Sequence, residues 1–417
     1  MKKVLIILLV LICTAAYSQE MNYIEDNAAY WYLKAFENLP KFCRNDIKAI
    51  SRIGSKEEFR QINPVIRGKL EAFDVQKFLE FTKTAKESSK HCYYNISDGL
   101  GNHNNIFFPE HFFEESIITL TGIAWKSLFY EKHEDAAGIY ISCLDFTADL
   151  LQPDTTIYPA YAASKYATVL LVSISNAFGD NAAESFKSSV LAKLKEKQAI
   201  FSSINKKQIV ENTYNLISKN IESIEKNPDE IARLASKQKA KENNNYPKCL
   251  RARKELCEAY DNYRANDDQN YAESNILKAV ETLMGKGYLS LLNKNTPEYY
   301  SCPQKGTYTV ITSKYFPTEI ECSCEKEFRQ DAANNANYKE NVFKTEKENI
   351  ISYFKSNIDL DHSHKPTMQE VKAKKQRYMK LFKNSELANS LIPPYYNYTV
   401  ALMHLNQCLE CFENLIK

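Results

Sequence analysis

The chain has 417 residues, and its 54 Lys and Arg side chains nearly balance its 52 Asp and Glu side chains. This balance excludes the strongly basic surface that DNA- and RNA-binding proteins use for phosphate contacts, so we expect no nucleic-acid partner. The scarcity of Gly (10) and Pro (13) disfavours a β-sandwich or β-barrel, whose turns consume both. It favours a mainly α-helical protein of two or three domains.

The N-terminal segment, residues 1–18, has the pattern of a signal peptide. Lys2 and Lys3 precede an apolar run at 4–13, and Ser18 is a small residue at the expected cleavage position. The apolar run is shorter than the roughly 20 residues that a membrane-spanning helix needs. We therefore expect an exported protein, periplasmic or extracellular, with no transmembrane segment after cleavage. Export, together with an even number of remaining cysteines, favours disulfides.

Apolar residues recur at helical spacing through residues 19–235, which we predict to form a helical domain. The predicted helices cover 24–39, 45–62, 68–90, a segment that starts at Pro109, 134–151, 158–178, 181–203 and 206–226. A stretch rich in Gly, Asn and Asp at 91–108 separates them as a predicted loop. The regular part from 109 to 226 predicts stacked helical hairpins, because one hairpin cannot bury its apolar face alone.

Residues 125–146 carry the clearest hairpin pattern. Trp125 lies on the first helix, a break follows at 131–134, and the small side chains of Ala136 and Ala137 allow a second helix to approach closely. In this order the residues resemble a tetratricopeptide-type hairpin, which implies an α-solenoid-like array. No strict period of about 34 residues is present, so irregular packing of helices remains an alternative.

The rest of the chain is less regular. A charged, Asn-rich stretch at 236–247 predicts a linker, and two helices follow it. Residues 331–366 are polar and weakly patterned, and the tail predicts helices at 367–385 and 398–416. After the signal peptide we thus predict three segments, which are a helical domain at 19–235, a module of helix and β-hairpin at 247–330 and a C-terminal helical segment at 331–417.

A short β pattern lies inside this module. The sequences TYTVIT at 307–312 and EIECSC at 319–324 are rich in β-branched and aromatic residues, and they predict two antiparallel strands. Two strands alone are marginally stable in water, so we expect the cysteines around them to hold them together.

These cysteines allow two predictions. A disulfide from Cys302 to Cys322 or Cys324 would close a loop of about 20 residues and contribute roughly 3 kcal/mol. Alternatively, Cys249, Cys302, Cys322 and Cys324 would supply four thiolates to one tetrahedral zinc ion, the one cofactor that we consider. An oxidising compartment favours the disulfide prediction, with Cys257 as a further partner.

The order of residues in 247–326 also resembles a block of type IV pilin-like and pseudopilin-like proteins and of exported bacterial proteins of unknown function. In that block a helix with a spaced Cys, Leu, Ala and Tyr precedes C-P-x-G-G-x-Y, a strand and a second strand that carries a cysteine. The matching residues are Cys249, Leu256, Ala259, Tyr263, Gly287, Leu289, Cys302, Pro303, Gly306, Tyr308 and Cys322. The departures are Ala252 in place of Asn, Lys305 in place of the first Gly, and Cys324 where His is frequent. The resemblance implies a small helix-plus-hairpin element, stapled or metal-bound, inside a larger protein.

Two further cysteines, Cys408 and Cys411, form a C-x-x-C pair near the end of the chain. A thioredoxin-like site places such a pair at the start of a helix that follows a strand. Here the pair falls late in an apolar helical pattern, so we interpret it as a structural thiol pair or as disulfide partners.

Histidines near carboxylates are the remaining candidates. His111 lies one helical turn before Glu114 and Glu115, a spacing that serves metal sites on helices. His362 and His364 flank Ser363 in a polar stretch. Neither group contains the second set of ligands that a catalytic metal site needs.

We find no residue pattern for catalysis, so no catalytic residue is assigned. The sequence therefore predicts an exported, non-enzymatic helical scaffold that binds a protein or peptide at the cell envelope. The alternative is a secreted, metal-assisted enzyme that uses His111, Glu115 or the stretch with His362 and His364.

Overall fold

A computed structural model describes the greater part of the chain and confirms a mainly α-helical protein with one small β-hairpin. The described residues are 28–87, 110–151, 155–180, 182–241, 246–267, 271–273, 275–289, 300–303, 306–311, 318–323, 332–358, 366–382, 384–391 and 398–417. The predicted signal peptide at 1–18 and the predicted loop at 91–108 lie outside them. Within the described residues, no helix combines the length and apolar character that crossing a bilayer requires.

In the first half of the chain, the regular elements of the described residues are all helices. They are α1 (Ala28–Glu37), α2 (Arg44–Ile50), α3 (Lys56–Gln61), α4 (Pro64–Glu71), α5 (Val75–Glu87), α6 (Glu110–Phe129), α7 (His133–Asp149), α8 (Ile157–Gly179), α9 (Glu184–Ser202), α10 (Lys206–Lys226) and α11 (Pro228–Lys241).

The second half adds the hairpin. Its elements are α12 (Tyr246–Asn266), α13 (Ile276–Gly285), β1 (Tyr308–Ile311), β2 (Glu319–Cys322), α14 (Ala332–Asn337), a π-helical turn (Tyr338–Phe343), α15 (Lys344–Ile358), α16 (Met368–Phe382), α17 (Glu386–Leu391) and α18 (Tyr398–Ile416).

Capping residues explain where two of the observed helices begin. The prediction of one helix over 45–62 was wrong, because Ser55 starts a new helix by accepting a hydrogen bond from the backbone N–H of Glu58. Asn63 accepts from the backbone N–H of Val65 and, with Pro64 in the first turn, starts α4 ahead of the predicted 68–90 helix.

Two stretches that we predicted to lack regular structure are helical. The predicted linker at 236–247 was wrong up to Lys241, because α11 continues to that residue. Buried side chains such as Leu234 hold this helix against the neighbouring helices. The weakly patterned stretch at 331–366 contains α14, the π-helical turn and α15. Its helical periodicity is interrupted by the π turn, which displaces the apolar face by part of a turn.

The first hydrophobic core joins α1–α9 with the C-terminal helix α18. Phe146 lies at its centre, where its ring centroid is 4.9 Å from that of Phe36 and 5.0 Å from that of Phe113. Helix α7 contacts α5, α6, α8 and α9, while α18 packs along α8 and α9. The last helix of the chain therefore completes the core that the first helices build.

A second core lies beside the first. It combines the start of α8 with α10, α11, the π turn and helices α15–α18 through apolar side chains such as Val210, Ile221, Ile350 and Phe354. We call the helices of these two cores, with α14, the helical body.

Residues 246–323 form an insertion into this body. Helix α11 precedes the insertion and α14 follows it, yet the two helices are in contact, and the side-chain amide of Asn334 donates to the carbonyl of Ala235 over 3.4 Å. The insertion contains α12, α13, β1 and β2, and it has a core of its own. We call it the inserted module.

Candidate functional site

The β-hairpin of the inserted module has the predicted antiparallel pairing. Tyr308 lies opposite Cys322, and Val310 lies opposite Ile320. Directly opposed residues point to the same face of a sheet, so Tyr308 and Cys322 share one face. Both are buried, and α12 contacts the strand that carries Cys322.

Three cysteines from separate parts of the module meet on this face. Cys249 lies in the first turn of α12, Cys302 precedes β1, and Cys322 ends β2. Their Sγ atoms all lie within 4.8 Å of one another, and all three residues are buried. No disulfide bond joins any two cysteines of the described residues. The predicted disulfide from Cys302 to Cys322 or Cys324 stays a prediction, and Cys324 lies outside the described residues.

The surroundings of Cys249 favour its thiolate form. Its pKa is lowered to about 6, first because the thiol of Cys322 hydrogen-bonds to its sulfur, whereas burial acts in the opposite direction. The hydroxyl of Tyr308 donates to this sulfur over 3.3 Å. The positive charge of Arg253 and the thiol of Cys302 lower the pKa further.

Arg253 is held in place by the hairpin. It lies one helical turn after Cys249 on α12, and its guanidinium donates to the carbonyl of Ile320 over 3.1 Å. The residue is 8% exposed, so its charge acts on the cysteine cluster with little screening by water.

The core around the cluster includes residues that define the pilin-like resemblance. Leu256, Ala259, Tyr263 and Leu289 are all buried in the module. Ala252, which departs from the block, is buried there as well. The spacing of this motif on α12 therefore corresponds to the helix face that packs against the hairpin and α13.

Gly287 of the same motif ends α13 in a left-handed conformation with φ of +78°. The backbone N–H of Gly287 donates to the carbonyl of Met284, and that of Tyr288 donates to the carbonyl of Leu283. This pair of bonds is a Schellman motif, which requires a positive φ that residues with a Cβ adopt at a cost.

The C-x-x-C pair lies on α18, away from any strand. Cys408 is buried in the first core and Cys411 is half-buried beside it. Burial raises the pKa of both thiols, which is the opposite of what a redox-active thiol needs. The interpretation of the pair as structural thiols or as disulfide partners stays a prediction.

Glu114 and Glu115, the two carboxylates of the alternative enzyme site, have different contacts. Glu114 pairs with Lys165 over 2.8 Å. The Glu115 side chain reaches solvent, yet its pKa is raised to about 7, first by partial loss of hydration and then by the nearby charges of Asp261 and Glu114. The side chain of His111 and all of His362 and His364 lie outside the described residues, so this alternative stays a prediction.

An ion cluster in the helical body escaped the sequence reasoning. The buried carboxylate of Asp145 forms ion pairs with Lys193 over 2.8 Å and with Lys197 over 2.6 Å, and both lysines also pair with Glu196. The carboxylate comes from α7 and the two buried lysines from α9, and Lys86 of α5 lies 3.5 Å from the same carboxylate, so no local pattern relates these residues. The cluster ties α7 to α9 through charges of opposite sign.

The sequence reasoning also assigned no role at the cysteine cluster to two of its neighbours, Tyr308 and Arg253. Tyr308 belongs to the pilin-like motif, but its hydroxyl contact with Cys249 depends on the register of the hairpin. Arg253 lies four residues after Cys249, and this helical spacing is a signal that the sequence does contain.

No family model, curated protein or solved structure matches this chain.

Proposed function

We propose that this chain is an exported, non-enzymatic helical scaffold that binds a protein or peptide at the cell envelope through its inserted module. The observation that carries the proposal is the insertion itself. The two cores of the helical body contain no residue of the module within the described part of the chain. A folded segment that the body does not use for its own packing serves another purpose, and presentation to a partner is the usual one for insertions on a rigid scaffold.

Export is supported by the signal-peptide pattern at 1–18.

Because α11 and α14 contact each other, the body can close without the module. We therefore expect a variant in which a short Gly/Ser linker replaces residues 242–331 to remain folded, with the helical circular dichroism and cooperative thermal unfolding of the body.

The experiment places a photo-crosslinking side chain at either of two exposed apolar positions in the full chain. Leu277 lies on α13 of the module and is 56% exposed, and Val172 lies on α8 of the body and is 52% exposed, which makes it a matched control. We expect a discrete adduct in cell-envelope fractions from position 277, none from position 172, and loss of the partner with the linker variant. An adduct from Val172 alone, or a partner retained by the linker variant, would contradict the proposal.

A further inference from the structure

We infer that Cys249, Cys302 and Cys322 bind one soft divalent metal ion of the zinc class, and that this ion holds the hairpin of the inserted module against α12. This inference concerns how the module is built, and it stands whether or not the module binds a partner.

The first argument is geometric. Two sulfurs bound to one tetrahedral zinc ion at about 2.3 Å lie about 3.8 Å apart. The three Sγ atoms are already within 4.8 Å of one another, so side-chain rotation alone brings them to such an ion. They come from a helix, from the segment before β1 and from β2, so a single ion would join three parts of the module.

The second argument is the number of thiols. A disulfide uses two cysteines, and any pairing within the cluster would leave a third buried thiol beside it. The polar groups of the module converge on Cys249, whose sulfur accepts from the Tyr308 hydroxyl and lies one turn from Arg253. Donors and a positive charge around one sulfur serve a thiolate that binds a metal, whereas a disulfide sulfur carries no negative charge for them to stabilise.

The third argument is stability. The module consists of a helix of 21 residues, a helix of 10 residues and a two-stranded sheet around a small core, and two strands alone are marginal in water. Small folds of this kind are commonly stabilised by a metal ion or by disulfides. Three thiolates occupy three positions of a tetrahedral ion. The described residues place no fourth His, Cys, Asp or Glu ligand in this set, and Cys324 of the predicted set lies outside them.

Binding is tested on the full chain with Zn²⁺ and Co²⁺ as the probes. Reduced, metal-free protein is titrated with each ion, the metal content is measured after gel filtration, and the absorption of thiolate-to-cobalt charge transfer is recorded. We expect one ion per chain and a charge-transfer band. We expect C249S, C302S and C322S each to lose at least tenfold in affinity, which is about 1.4 kcal/mol. The matched controls C43S and C411S remove half-buried thiols outside the cluster and should bind as the unchanged protein does.

The thermal unfolding of the helical body should be the same in all five variants. This control distinguishes the loss of a metal ligand from general misfolding of the chain. Charge transfer in the unchanged chain also reports thiolate ligation without any mutation. No bound ion, retention of affinity by the three cluster variants, or a disulfide between two cluster cysteines in the exported protein analysed without reduction would each overturn the inference.

Discussion

The first core of the helical body and the core of the inserted module achieve burial by different means. In the body, large aromatic side chains pack around Phe146, and ten helices contribute to the core. In the module, one helix face, a short helix and a hairpin enclose a small core that includes three cysteines. A large core supplies its own stability through buried apolar area, whereas a small one needs an added tie between its parts. The cysteine cluster accordingly lies in the inserted module, which is the region with the small core.

The largest effect is expected in the body. Phe146→Ala removes a fully buried ring that contacts Phe36 and Phe113, so it should lower the free energy of unfolding of the body by about 3–5 kcal/mol. Chemical denaturation followed by circular dichroism measures this change. The module has a separate core, so metal binding should be unchanged. An equal loss of metal affinity would show that the two regions fold as one unit.

The next effect concerns the ion cluster of the body. Asp145→Asn leaves Lys193 and Lys197 buried without their shared carboxylate, and it should destabilise the body by about 3 kcal/mol. Glu196→Gln is the matched control, because Glu196 contacts the same lysines with a half-exposed side chain and should cost less than about 1 kcal/mol. Equal effects of the two substitutions would contradict the assignment of Asp145 as the tie between α7 and α9.

A smaller effect should be confined to the module. Tyr308→Phe removes the hydroxyl that donates to Cys249, so it should weaken metal binding by about 10–100-fold without changing the unfolding of the body. Competition with a chelator of known affinity measures this loss. An unchanged affinity would mean that the hydroxyl has no part in holding the thiolate.

The same substitution should raise the pKa of Cys249 from its value of about 6 in the reduced, metal-free chain. The folded pKa lies below the ordinary value of about 8.5. The stability that the thiolate contributes is therefore complete above about pH 8.5 and is lost as the pH falls through 6. The rate of alkylation against pH, followed by peptide mass spectrometry, reports the pKa directly. Ordinary titration near pH 8.5 in the unchanged chain would contradict the described surroundings of Cys249.

The smallest effect tests the turn after α13. Gly287→Ala places a Cβ at a φ of +78° and should destabilise the module by about 1 kcal/mol. Gly285→Ala is the control two residues earlier, inside the helix and with open space around the added Cβ, and it should be neutral or slightly stabilising. Hydrogen exchange of the α13 amides distinguishes them, and the reverse order of stability would contradict the Schellman motif.

The sequence predicts those features that depend on local patterns. Helical periodicity and scarce Gly and Pro indicate the mainly α-helical class, and the β-branched and aromatic residues of TYTVIT and EIECSC indicate the hairpin. The boundary at Ser55 was missed because a capping residue in a polar stretch also fits the middle of a helix. The extension of α11 to Lys241 was missed because its polar side chains carry no periodic signal.

The candidate site likewise contains some features that the sequence predicts and others that only the fold shows. The motif order in 247–326 brought Cys249, Cys302 and Cys322 into one predicted set, and the fold places their sulfurs together. The role of Arg253 requires the contact with the carbonyl of Ile320 across the module, and Asp145 requires the packing of α7 on α9. Such contacts between distant parts of the chain depend on tertiary structure, which the periodicity of one sequence does not encode.

The most direct test of the account is hydrogen exchange of the full chain, loaded with Zn²⁺ and then treated with a chelator under reducing conditions. The account predicts that chelation removes the protection of amides in α12, β1 and β2, while protection in α6–α9 is unchanged. Unchanged protection of α12 and the hairpin, or an equal loss throughout the helical body, would contradict the claim that a thiolate-bound metal holds the inserted module.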